Sequence, residues 1–315
     1  SGATESNNLA IIGAAHLRRQ RGQHVVTAGT EHASVLAACD ELERRGFSVT
    51  RLPVDAMGLV GPEQVAQAIR PDTTLVSLMQ VNNETGVVQD IAAVGALCRA
   101  RGVLLHVDAA QAAGREAIDV RAQAVDLLSL SAQKMYGPKG VGALFISRET
   151  ARRVAPLLFG GSQERGMRPG TLATHQLIGM GVAARLAAVR RADDHARQLV
   201  LRDRLWEGIG QLPGLFLNGH PRQRACHILN VSVSGVEGES LLFALRGLAV
   251  SSGAACASES PEPSAVLRLL GRTPELAQAS VRFSLGRSTT AAEIEQAVAA
   301  FVAGVRHLRR LAPAG

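Results

Sequence analysis

Of the 34 Lys and Arg residues in this chain only two are lysines, Lys134 and Lys139, and both fall in the single segment SAQKMYGPKG. Every other positive side chain is arginine, so the amines are confined to one junction where an apolar run gives way to a loop. Guanidinium stays protonated and cannot become a nucleophilic amine, whereas lysine can lose its proton and form a Schiff base. Lysine count alone leaves the alternative of two surface lysines in an arginine-biased chain, and the residues around Lys134 decide between them.

In an open α/β sheet, ligands gather beyond the carboxyl ends of the strands, so polar residues that end apolar runs are the first candidates. Asp108 follows VLLHV and has Gln111 three residues on; a buried carboxylate there could pair with a protonated ring nitrogen, or simply cap a helix. Asn82 and Asn83 follow LVSLMQV, His32 follows VVTAG, and Ser131-Ala132-Gln133-Lys134 follows VDLLSL. The opening SGATESNN starts a helix at Gly2, Ala3 and Thr4, whose free N–H groups and hydroxyl make a phosphate seat at the positive end of the helix dipole. A phosphate seat, a carboxylate for a ring nitrogen, an asparagine and a histidine near a ring, and an amine able to form an imine are together the parts of a pyridoxal phosphate site.

The elements that must position these groups follow from the apolar pattern. HVVTAG, FSVTRLPV, TTLVSLMQV, VLLHVDAA, VDLLSLSA and GALFIS lack polar alternation, which predicts strands covered on both faces in a mostly parallel sheet between helices. A long helical stretch spans about 175–208, after the glycine-rich turn FGGSQERGMRPGT. Strand signals return at HILNVSV and SVRFSLGR, and a capping-box pattern at Thr290 and Glu293 opens a last helix. Its apolar stripe is Ile294, Val298, Phe301, Val302, Val305 and Leu308. The pattern predicts a large α/β domain over 1–190 and a smaller α+β domain over 191–315.

Composition narrows the function classes. Hydrophobic residues make up 46% and aromatics 3%, so the core is aliphatic and a base-stacking nucleic-acid surface is not expected. The net charge of +7 comes from scattered arginine pairs such as Arg18-Arg19 and Arg190-Arg191, a solvated surface and not one basic block. Cys39, Cys98, Cys226 and Cys256 have no CxxC or zinc spacing, so no metal site is predicted and a reducing compartment is. No apolar stretch approaches a membrane span and no signal peptide is visible.

SGATESNN, TEHASV, VNNETG, HVDAAQ, SAQKMYGPKG, ERGMRPGT, SSGAACAS and SVRFSLGR, in this order, resemble the cysteine desulfurases of the class V aminotransferase group. The SSGxAC form is similar to the branch that supplies sulfur for iron–sulfur clusters and tRNA thiolation. The resemblance implies the type I fold of pyridoxal-phosphate enzymes, with a mostly parallel large-domain sheet of the seven-stranded type. It implies that Lys134 holds the cofactor and shuttles the substrate α-proton, Asp108 keeps the pyridine nitrogen protonated, and His32 stacks on the ring as an acid/base group. Asn83 and Gln111 would contact the ring substituents, Asn83 also facing substrate. Ala3, Thr4, Ser131 and Gln133 would bind phosphate, and Thr171 would reach the phosphate of the partner subunit, hence a homodimer. Arg282 would clamp the carboxylate of L-cysteine. Cys256 would take the sulfur as a persulfide and pass it to an iron–sulfur scaffold or a tRNA-thiolation protein, in the cytoplasm. Its small-residue surroundings, Gly253, Ala254, Ala255 and Ser258, suit a mobile thiol, whereas Cys39 and Cys98 read as apolar fillers.

Three departures from the family pattern carry expectations. Gln133 stands where the family usually has histidine; it can donate a hydrogen bond to phosphate but carries no charge. The family's segment ahead of SGATESNN, with its DxxATTP-like motif, and the longer tail of some members are not in this sequence, so the chain alone is expected to expose apolar surface. The competing expectations are another class V lyase or aminotransferase, which would not need Cys256, and a truncated non-catalytic relative acting as an interaction protein.

Overall fold

The computed structural model describes residues 1–252 and 262–311. The chain forms two compact units, one of residues 1–53, 60–82 and 89–191, the other of 54–59, 83–88 and 192–315. The first unit contains helices α1 (Ala3–Leu17), α2 (Ala33–Arg44), α3 (Pro62–Ala68) and α4 (Ile91–Arg101), with the start of α5 (Thr174–Ile209). Its strands are β1 (His24–Ala28), β2 (Ser48–Leu52), β3 (Thr73–Met79), β4 (Leu104–Asp108), β5 (Leu127–Ser131) and β6 (Gly142–Ile146). They form one sheet in the order β2-β1-β3-β4-β5-β6, parallel except for β6, which runs antiparallel to β5.

The aliphatic runs explain the layering. Every residue of β1, β3 and β4 is buried, as strands covered on both faces must be, while the edge strands β2 and β6 are partly open. Leu9, Ile11 and Ile12 of α1 and Val35, Cys39 and Leu42 of α2 pack with Val25, Leu75, Leu104 and Leu127 from the sheet. This sheet has six strands among the described residues, not the seven that the family resemblance implies. The reason is legible in the chain, which holds six apolar runs ahead of α5, each of them a strand.

The second unit is an antiparallel sheet in the order β7 (Leu215–Leu217), β8 (Ile228–Val233), β10 (Ser280–Ser284), β9 (Ser251–Ser252), with α6 (Gly238–Ala244), α7 (Ala265–Leu269), α8 (Pro274–Gln278) and α9 (Ala291–Leu311). Ile294, Phe301 and Val305 of α9 are buried against Val231, Val281 and Phe283, and Phe283 meets Phe301 edge-on with centroids 5.7 Å apart. The capping box forms: Thr290 N donates to Glu293 Oε2 at 2.7 Å and Glu293 N to Thr290 Oγ1 at 3.3 Å. Two short segments, 54–59 and 83–88, leave the first half of the sequence to join this unit. Pairing supplies the reason for 83–88: Val87 bridges Arg224, and Asn230 Nδ2 donates to Glu84 O at 3.0 Å.

Candidate active site

Register brings the polar strand ends of the first unit to one level. Met79 at the end of β3 is paired with Asp108 at the end of β4, and Asp108 with Ser129 of β5. Ser131 ends β5 opposite Gly142 of β6 and leads into a single 3-10 turn, Ala132–Met135, that carries Gln133 and Lys134. Lys134 and Gln133 are exposed, and among the described residues Lys134 makes no salt bridge or hydrogen bond. The amine is thus kept at a strand end with no anion of its own.

The start of α1 lies against this corner because Gly142 has no side chain. A Cβ at Gly142 would stand 2.7 Å from Gly2 Cα and 2.5 Å from Leu130 O, so the glycine is what lets the helix N-terminus reach the end of β5. No side chain caps α1, leaving the N–H groups of its first turn available beside Ala3 and Thr4. The Ser131 hydroxyl likewise makes no hydrogen bond to the described residues. Free N–H groups, a hydroxyl and an uncapped helix start form an anion cradle. Arg168 Nε donates to Glu5 Oε1 at 2.9 Å, which ties the ERGMRPGT segment, and with it exposed Thr171, to the same first turn. That guanidinium holds the Glu5 carboxyl down at about 2.

Asp108 is buried at the other side of the cluster. Its Oδ1 accepts from Ala110 N at 2.9 Å and its Oδ2 from Asn7 Nδ2 at 2.7 Å. Burial pushes its carboxyl up, the two donors and then the nearby His32 pull it partly back, and among the described residues it makes no salt bridge. A buried carboxylate with no salt bridge suits a protonated ring nitrogen as its partner. His32 caps α2: Ser34 N donates to its Nδ1 at 3.1 Å, and Ser34 Oγ lies 2.8 Å from the same nitrogen. Gln111 sits half-buried just past Asp108. An anion cradle, an unpaired amine and a buried carboxylate with no salt bridge fit pyridoxal phosphate, whose phosphate, aldehyde carbon and pyridine nitrogen need those three partners.

Asn83 and Arg282 come together in the second unit, where Arg282 Nη1 donates to Asn83 O at 2.8 Å. That bond goes to the main-chain oxygen of Asn83; Asn82, the neighbouring residue in the first unit, donates from Nδ2 to Thr30 O at 3.0 Å and so holds the His32 segment. Cys256 lies outside the described residues. Cys39 and Cys98 are buried in α2 and α4, and burial pushes both thiols up to about 12, as unreactive fillers should be.

Sequence reasoning missed Asn7 and Glu31. Asn7 was visible as a polar residue inside an apolar helix, at a position that is 0% exposed. Glu31 is fully enclosed, with Oε1 accepting from Met79 N at 2.9 Å, and burial drives its carboxyl well above the usual range.

The Aminotransferase class-V family profile matches residues 1–297. Cysteine desulfurase IscS of Shewanella piezotolerans is 53% identical over 313 residues, covering 99% of this chain and 78% of that protein. Among solved structures, a NifS-like protein superposes with a TM-score of 0.86 at 30% identity, over 99% of this chain and 80% of that one. The structure of SspA in complex with cysteine superposes with a TM-score of 0.79 at 36% identity, over 90% and 79%. The chain belongs to the class-V aminotransferase family of pyridoxal-phosphate enzymes. Within that family its activity is that of a cysteine desulfurase.

Proposed function

We propose that the chain carries out desulfuration with Lys134 as the cofactor lysine, Asp108 at the pyridine nitrogen, His32 on the ring, and Ala3, Thr4, Ser131 and Gln133 at the phosphate. The observation that carries this assignment is the pairing of two groups at neighbouring strand ends, the amine of Lys134 and the buried carboxyl of Asp108, neither of which makes a salt bridge among the described residues. When bound, pyridoxal phosphate supplies an electrophilic carbon for amines and a ring that accepts an electron pair. The protein supplies the rest. Asp108 holds the proton on the ring nitrogen, and Lys134, exposed and unpaired, moves the α-proton of the substrate. Arg282 binds the substrate carboxylate, the planar bidentate task suited to guanidinium, with Asn83 O fixing its orientation from behind. Asn83 and Gln111 face ring substituents.

Cys256, as thiolate, attacks the sulfur of L-cysteine: an S–S bond forms, the Cβ–S bond breaks, and the carbon takes a proton to leave as L-alanine. The persulfide is then passed to a protein acceptor, an iron–sulfur scaffold or a tRNA-thiolation protein. A second copy of the chain supplies Thr171 to each phosphate. In support, α5 presents Ile178 (69% exposed), Val182, Leu186 and Val189 (76%) on the first unit, and Phe159 is 87% exposed. Apolar area of that kind, repeating at helical spacing, is a protein-contact face. Among the described residues no helix is long and apolar enough to cross a membrane. With the unpaired thiols of Cys39 and Cys98, we assign the chain to the reducing cytoplasm.

The test is the visible spectrum of the purified chain with pyridoxal phosphate, before and after L-cysteine. The lysine-linked band is expected in the wild type and Cys256→Ala and absent in Lys134→Ala, with sulfide released by the wild type alone. A folded chain with no band, or sulfide from Cys256→Ala, overturns the assignment.

A further inference from the structure

Asn7 joins the two groups assigned to the ring. It is fully buried in α1, and its single Nδ2 donates to Asp108 Oδ2 at 2.7 Å and to Ser34 Oγ at 2.9 Å, partners 101 and 27 residues away. An amide nitrogen has two hydrogens, so both are committed. Ser34, accepting from Asn7, has its own hydroxyl hydrogen left for His32 Nδ1, 2.8 Å away, and that nitrogen already accepts from Ser34 N. Every hydrogen in the chain therefore points outward from Asn7, toward the carboxylate on one arm and the imidazole on the other. Reversing the amide would set Oδ1 against the Asp108 carboxyl, acceptor against acceptor, so its orientation is fixed.

The opposite end of the same amide is unused. Asn7 Oδ1 is buried and has no hydrogen-bond partner. An unmet buried acceptor lowers stability, and an apolar side chain of similar volume at this place in an otherwise aliphatic helix face would avoid the loss. The position keeps an amide for its two N–H groups.

We propose that Asn7 is a positioning residue that acts through Asp108 and, by way of Ser34, through His32, holding carboxyl and imidazole as one rigid pair around the cofactor ring. The proposal rests on the pyridoxal phosphate assignment above. Without Asn7, Asp108 Oδ2 is left buried with no donor, so the carboxyl turns or takes up a proton and no longer presents the charge that the ring nitrogen needs.

The experiment is a double-mutant cycle on the full chain: wild type, Asn7→Ala, Asp108→Ala and the double variant, with Ser34→Ala alongside. Pyridoxal phosphate affinity and the pH midpoint of the visible band are read for each. Asn7→Ala is expected to weaken binding by about tenfold or more and to move the midpoint, and to have less than about a twofold further effect once Asp108 is gone. Ser34→Ala cuts the imidazole arm alone and is expected to leave the Asn7–Asp108 coupling in place. Equal loss with and without Asp108 would mean that Asn7 only fills space, and overturns the proposal. Should Asn7→Ala fail to fold, isosteric Asn7→Asp takes its place, with the same loss expected.

The same cycle is read by urea unfolding of the cofactor-free chain, where a coupling of about fivefold or more in the unfolding constant is expected. Absence of that coupling overturns the proposal directly. Coupling in a wild type that takes up no pyridoxal phosphate overturns it through the assignment it rests on, so the two failures are told apart.

Discussion

Both units bury charge-bearing side chains, but in different balance: the first also holds one buried arginine, Arg18, and the second buries His227 and Glu84 beside its arginines. The first unit encloses groups that can gain or lose a proton near the sheet's carboxyl edge and within its strands: Glu31, Asp108, His106 and His24. The second encloses guanidinium. Arg224 donates to His220 O and Asn218 O, and Arg202 to Ala225 O and Arg224 O, with Asp203 beside it. Burial lowers the Arg224 guanidinium only to about 10, so it remains a cation at any working pH and serves as a clasp on main-chain carbonyls. The balance tilts toward titratable groups in the unit whose strand ends form the candidate site, and toward guanidinium clasps in the other.

The largest expected effect that would break this division is on activity. Lys134→Ala should lower desulfuration by at least about 10³-fold with the unfolding midpoint little changed, whereas Arg224→Ala should keep the visible band and lose about 3 kcal/mol of stability. Steady-state sulfide release and urea unfolding on both variants check it; a normal spectrum in the first or an unchanged midpoint in the second would erase the distinction.

Acid should unfold the first unit through its histidines. His106 sits between Ser77 Oγ at 2.8 Å and Ser129 Oγ at 2.9 Å, and burial drives it from 6.5 to about 3. The unfolded chain therefore binds a proton that the folded chain refuses. Stability is full above pH 6.5 and falls as pH drops toward 3, by about 1.4 kcal/mol per unit from this one ring. Substituting His106→Gln should remove that slope in urea titrations at stepped pH.

Glu31 should show the opposite sign. Its folded carboxyl titrates above its unfolded value of 4.5, so what it adds to stability is complete below pH 4.5 and is lost as pH rises toward the folded value. Glu31→Gln, neutral throughout, should gain on the wild type between pH 4.5 and 7; a constant difference across that range would mean that the carboxyl is ionised in the fold. The smallest effect belongs to an open carboxylate of the same unit. Asp90 caps α4 by accepting from Ala93 N at 3.0 Å, and Asp90→Ala should cost about 1 kcal/mol in unfolding and leave the visible band untouched.

Much of the candidate site was legible because its residues end apolar runs or open a helix, and such ends are marked locally. Lys134, Asp108, His32 and Ser131 are all of this sort. Asn7 stood inside the quoted SGATESNN motif, yet its partners are 27 and 101 residues distant and nothing local announces them. Glu31 stood inside the quoted TEHASV motif, and only the fold turns it inward onto Met79 N. The same limit applies to segment 83–88, whose backbone pairs with Gln223 and Arg224 of the second unit across more than a hundred residues. Long-range register is set by tertiary packing, and the periodicity of a run carries no record of which run it will meet.

Gly142 has a consequence for how this gene can drift. The residue sits on an edge strand and contributes no functional group, so a chemist scanning for reactive side chains would pass over it. Adding one methyl group there would press on Gly2 Cα and Leu130 O, lifting the helix start away from the strand end. A saturation library scored for growth on this enzyme should find position 142 as closed to change as Lys134, with the glycine tolerating no replacement. What the fold demands at this corner is an empty space.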